Sequence, residues 1–108
     1  MQTTQDDVGA AIGRLLKIAL PPTRAAETGA SPKVADFLLA WWNGDDCGHF
    51  PILHLCNVDS DIARDMLTIM AYLAQTSTVY ADAWGYRDAM ADLWERWRPE
   101  QLAAQSAA

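Results

Sequence analysis

Apolar residues recur along most of this chain at three- and four-residue steps, the period of an α-helix rather than the alternation of a strand. In "DDVGAAIGRLLKIAL", Val8, Ala11, Ile12, Leu15, Leu16 and Ala19 fall on one helical face. Asp6 and Asp7 suit the partial positive charge at its N-terminal end. Pro21 and Pro22 stop it, because proline has no amide hydrogen and its ring clashes with the preceding turn. Gly9 and Gly13 lower its helicity. "PPTRAAETGA" follows as a connector with no expected core residue.

"SPKVADFLLAWWNG" carries clearer boundary signals. Ser31 is expected as the N-cap and Pro32 at the first helical position, where a missing amide costs nothing. Val34, Leu38, Trp41 and Trp42 form a stripe that Phe37 and Leu39 widen, so this helix is predicted to be central. Asn43 and Gly44 end it. "FPILHLC" is short enough for a strand or a helical turn. Pro51 and the spacing of Ile52, Leu55 and Cys56 favour the turn, and a lone strand would have no partner. "DSDIARDMLTIMAYLAQ" is the longest helix, with Asp59 as its cap and Ile62, Met66, Ile69, Met70 and Leu73 as its buried stripe. "TSTVYADAWG" breaks the pattern. A last helix runs from about Tyr86 to Arg98, with Met90, Leu93, Trp94 and Trp97 inward and Arg87, Asp88, Asp92, Glu95 and Arg96 towards solvent. Pro99 ends it. The pattern predicts an all-α fold: one compact domain over residues 1–99, a bundle of about four helices plus a short helical turn, with a flexible tail over 100–108.

Composition agrees with that picture. About half of the 108 residues are apolar, enough for a core without staples. No apolar run approaches the roughly 20 residues that span a bilayer. The start "MQTTQDDVGAAIGRLL" has no basic leader, so a cytoplasmic protein with reduced thiols is expected, and no membrane partner.

Charge changes the picture more. The net charge is −6, and it is concentrated. Asp36, Asp45, Asp46, Asp59, Asp61 and Asp65 face only Arg64 between residues 36 and 65, six negative charges against one positive, a net of −5. Direct nucleic-acid binding needs the opposite sign. A basic protein surface is the partner that charge favours. The plain alternative is that these aspartates cap helices and keep the chain soluble.

The densest chemistry lies in "NGDDCGHFPILHLCNVDSD", which holds both cysteines and both histidines. Cys47, His49, His54 and Cys56 are the right number and type of ligand for zinc. Their C-x-H-x4-H-x-C spacing is tighter within each pair than the usual two- to four-residue knuckle. A structural reading, with Cys56 a small buried residue, Cys47 in a loop and "FPIL" needed for the core, is preferred. No oxyanion loop or third orienting group accompanies a Cys–His pair, so no catalytic residue is assigned and no cofactor is expected. "DSDIARD" lacks the glycine and later ligands of a calcium loop. Trp41 and Trp42 point about 100° apart on a helix, which leaves one at the edge of the core. Asp45, Asp46, Asp59, Asp61, Asp65 and Trp42 are therefore the expected partner contacts.

The blocks "KVADFLLAWWNGDDCGHF", "LCNVDSDIARDMLTIMAYLA" and "YADAWGYRDAMADLWERWRP" resemble, in order, a family of small proteobacterial proteins, a domain of unknown function met in integrative and conjugative elements, plasmids and prophages. The resemblance covers roughly residues 10–99. It implies a small helical intracellular domain without an assigned enzyme activity. The family pattern does not require His49, His54 or Cys56, which counts against zinc. The expectation is a non-enzymatic protein-binding module of a mobile element, in its sharpest form an anti-CRISPR-like inhibitor docking an acidic face on the basic channel of a host defence complex. Self-association into a homodimer is a second use of such a face. A small zinc-binding regulator or enzyme is the alternative.

Overall fold

The first helix, α1 (Gln5–Ala19), starts one step earlier than the aspartates suggest. Thr4 is its N-cap. The Thr4 hydroxyl accepts from the Asp7 amide at 3.1 Å, and the Asp7 carboxylate accepts from the Thr4 amide at 3.0 Å. This capping box satisfies two otherwise orphaned donors. Hydrogen bonding to the Asp7 carboxyl from the Thr4 backbone amide, and after it from the Thr4 side chain, holds that carboxyl below its usual range. The computed structural model describes residues 3–107. Residues 1, 2 and 108, the outermost ends of the expected domain and tail, lie outside the described residues.

The second helix, α2, spans Ser31–Trp42. Ser31 does not cap it. Its buried hydroxyl accepts from the Thr28 amide at 2.9 Å and donates to the Ile18 carbonyl at 2.7 Å, which ties the connector to the end of α1. A single turn, α3 (Gly44–Cys47), follows. Residues Ile52–Cys56 form a 3-10 turn, the helical alternative the spacing favoured. Helix α4 runs over Ser60–Leu73; Asp59 precedes it but makes no side-chain capping bond. A 3-10 turn at Ala81–Trp84 leads into α5 (Arg87–Trp97). Residues expected as a loose tail form a further helix, α6 (Pro99–Ala107). Pro99 ends α5 and also begins α6, because the first helical position tolerates a missing amide.

Helix α1 packs against α4 and α2, and α2 against α5. The centre is closed by Ile12 and Leu15 from α1, Leu38 and Leu39 from α2, Met66 and Ile69 from α4, and Met90 and Leu93 from α5, all fully buried. These are the positions the helical period selects. The fold is all-α, with no strand among the described residues. No helix there is long and apolar enough to cross a membrane.

The polar tips of the aromatic residues fasten the C-terminal third to α1. Trp84 Nε1 donates to the Gln5 carbonyl at 2.8 Å, Tyr86 Oη to Gly9 at 3.2 Å, and Trp97 Nε1 to Ala19 at 2.8 Å. Gly9 and Gly13 make room for this. A Cβ on Gly9 would come within 2.9 Å of the Trp84 ring, and one on Gly13 within 3.0 Å of the Tyr86 hydroxyl. The two glycines thus form a shelf rather than only a weak point of α1. The connector also enters the packing. Pro21 is buried, and Arg96, expected in solvent, is half-buried and donates to the Pro21 carbonyl at 2.8 Å.

Candidate interaction surface

Residues 43–59 turn back along α2 as a strap. At its start the Cys47 side chain is buried, 2 % exposed. The Cys47 carbonyl accepts from Arg98 Nε at 3.3 Å, while Arg98 Nη2 donates to Asp36 on α2 at 2.6 Å. Midway, the Phe50 ring meets Phe37 edge to face at 5.3 Å. At its end Lys33, in the first turn of α2, donates to the Asn57 carbonyl at 3.3 Å. Gly48 lets the strap leave α3. A Cβ there would come within 2.2 Å of the Gly44 carbonyl oxygen, so no other residue fits this turn unchanged.

The tip of the strap is apolar and faces water. Ile52 is 78 % exposed and Leu53 is 73 % exposed. The expectation that "FPIL" serves the core is therefore corrected: Phe50 packs inward, while Ile52 and Leu53 point out. Pro51, with an extended backbone (ψ 130°), stands between the inward Phe50 and the 3-10 turn that carries this pair. Periodicity alone cannot find such a pair, because a helical turn has two faces and the sequence does not say which one is covered.

The expected contact residues separate into groups. Asp45 and Asp46 are exposed in α3, at the C-terminal end of α2; Asp46 accepts from Asn43 Nδ2 at 3.3 Å. Asp59 and Asp61 are exposed near the Asn57 end of the strap. The rise of α2 between Lys33 and Trp42 is about 14 Å, so the two acidic pairs bracket the strap rather than form one cluster. Asp65 is not an open acidic contact. It is 8 % exposed and receives Arg14 through two bonds, at 3.0 and 2.8 Å. That pairing holds Arg14 even more firmly protonated than usual. Trp42 is half-buried, edge to face with Trp94 at 5.7 Å and bonded to Asp82 at 3.3 Å, on the side of α2 that meets α5.

The cysteine–histidine cluster does not converge. Cys56, expected to be buried, is exposed, and Cys47, expected in a loop, is buried at the end of α3. Burial raises the Cys47 pKa, with Arg98 opposing and Asp46 adding to the rise. His49 is exposed, while the His54 ring stacks edge to face on Phe50 at 5.7 Å. Among the described residues no group of three or more His, Cys, Asp or Glu side chains is placed to hold a metal ion. The geometry therefore gives no support to the zinc alternative.

The fold and this surface define a small all-α domain. The chain belongs to a family of unknown function (DUF7673), whose model matches residues 9–98. No curated protein and no solved structure matches the chain.

Proposed function

We propose that this domain is a non-enzymatic protein-binding module that docks the strap at residues 43–59, with Asp61 beside it, on a basic surface of another protein. The observation that carries the reading is the adjacent pair Ile52 and Leu53, both more than two-thirds exposed on a defined turn. Fully burying an aliphatic side chain of this size is worth about 1.5–3 kcal/mol, so a partner that covers both gains a compact anchor. The flanking Asp45, Asp46, Asp59 and Asp61 favour a partner whose apolar pocket is rimmed by lysine or arginine. The same charges disfavour nucleic acid and a second acidic copy as occupants. In its sharpest form the partner is the nucleic-acid channel of a host defence complex met by a protein of a mobile element; the net charge of −6 is what supports that form.

The test is a photo-cross-linking residue at position 53, in the host cell, to trap the protein that covers the tip. The trapped protein is then purified and titrated against the parent chain and against Ile52→Ser/Leu53→Ser. Loss of at least about tenfold in affinity is expected for the variant. An unchanged dissociation constant would overturn the reading.

A further inference from the structure

Beside the tip lies a groove of about 460 Å3, lined by Phe37 and Trp41 of α2, Phe50 of the strap, and Met70 and Leu73 of α4. Ala40, Gly44, Gly48 and His49 complete its lining. The volume falls within the range of small binding pockets, roughly 300–1,000 Å3, and suits one or two large side chains rather than a folded surface. Its walls are aromatic rings, a thioether and an aliphatic chain, which favour an aromatic occupant through edge-to-face and sulfur contacts.

Charge beside the groove selects what accompanies that occupant. Asp45 and Asp46 directly follow Gly44 and are exposed. The only cation within residues 36–65 is Arg64. Arg98, a cation brought to this end of α2 from outside that window, is engaged by Asp36 and by the Cys47 carbonyl. An incoming lysine or arginine therefore meets the exposed Asp45 carboxylate beside the rim, while an acidic segment is repelled.

We infer that this groove receives one aromatic side chain from a basic segment of the partner, the ring seated between Trp41 and Phe50 and a flanking lysine or arginine beside Asp45. The inference rests on the docking reading above and names the second half of the contact: the tip enters the partner, and the partner enters the groove.

Gly44 offers a clean block. A Cβ at this position meets nothing within 4 Å and the backbone there is not left-handed, so Gly44→Phe adds a bulky ring at the groove rim with no clash at its Cβ.

The experiment is a titration of the isotope-labelled protein, followed by amide and indole NMR shifts, with three five-residue peptides. One has a tryptophan between pairs of lysines. The second has serine in place of the tryptophan, and the third has glutamates in place of the lysines. The first peptide should shift Gly44, Gly48, Phe50 and the Trp41 indole. The serine and glutamate peptides should bind at least about tenfold more weakly. Gly44→Phe, with an unchanged melt, should weaken the first peptide to the same degree, while Ile52→Ser/Leu53→Ser should leave it unchanged. Equal binding of the serine peptide, or unchanged binding to Gly44→Phe, would overturn the groove. If those results coincide with partner loss in Ile52→Ser/Leu53→Ser, only the groove falls. If that variant keeps its partner while the peptides behave as expected, the docked tip falls instead.

Discussion

Asp36 and Asp65 stand beside Asp45, Asp46, Asp59 and Asp61 in one acidic window, yet the fold treats the two groups differently. Asp36 and Asp65 each receive an arginine from outside the window, Arg98 and Arg14, at 2.6 and 2.8 Å. The other four are exposed. A window of −5 in sequence is therefore a window with two of its charges already matched. What reaches solvent is a pair of aspartates at each end of an apolar strap. The paired carboxylates tie α2 to Arg98 and α4 to Arg14, whereas the exposed ones face water, Asp46 also accepting from Asn43.

Arg98→Ala tests the first group hardest. It removes the bond to Asp36, the contact with the Cys47 carbonyl and a bond to the Trp97 carbonyl. The Asp36 and Arg98 side chains are 17 % and 20 % exposed, so neither regains full hydration when left alone. A loss of about 2–3 kcal/mol in unfolding free energy is expected by chemical denaturation. The strap, anchored by the same arginine, should exchange its amide hydrogens faster. Asp65→Ala should cost less, about 1–2 kcal/mol, because its partner Arg14 is 59 % exposed and recovers water. A melt equal to the parent for both variants would place these pairs among surface ion pairs of no consequence.

Reversing the exposed group should do the opposite. Replacing Asp45, Asp46 and Asp61 by lysine takes the net charge from −6 to zero. Unfolding free energy should change by no more than about 1 kcal/mol, mostly from Asp61 in the first turn of α4. Binding to the cross-linked partner should be lost. In the parent, that binding should weaken with salt as the Debye length contracts to about 3 Å at 1 M. A folded triple variant that binds like the parent would mean these aspartates only solubilise.

Asp7 gives the smallest effect and a pH signature. Its folded pKa lies below its ordinary value of 3.8. Its contribution is therefore present above that value and is lost as pH falls through the lower folded value. The melting temperature of Asp7→Asn should lie below that of the parent at pH 7, and the gap should close in acid below about pH 4. A gap that persists at the lowest pH would assign the effect to helix propensity instead.

Much of this fold is legible in local pattern. The apolar stripes of α1, α2, α4 and α5 select the buried residues because a helix repeats its core face every few positions. The helical turn at Ile52–Cys56 is legible too, from Pro51 and its neighbours. Contacts between distant segments are not. Arg98 meets Asp36 across 62 positions and Arg14 meets Asp65 across 51, and no spacing rule links such pairs. The shelf made by Gly9 and Gly13 is visible only once Trp84 and Tyr86 arrive on it. The burial of Cys47 is of the same kind: it sits where Arg98, 51 positions away, donates to its carbonyl. The candidate surface was legible as an acidic stretch, but its apolar tip was not.

The most direct measurement pairs a melt with a titration on Ile52→Ser/Leu53→Ser. Because both side chains are largely solvent-exposed, at 78 % and 73 %, the variant should unfold at the parent's temperature. Its affinity for the protein trapped at position 53 should fall at least about tenfold. A variant that melts early would show that the tip belongs to the core, and one that melts and binds like the parent would show that the tip is not where this domain meets its partner.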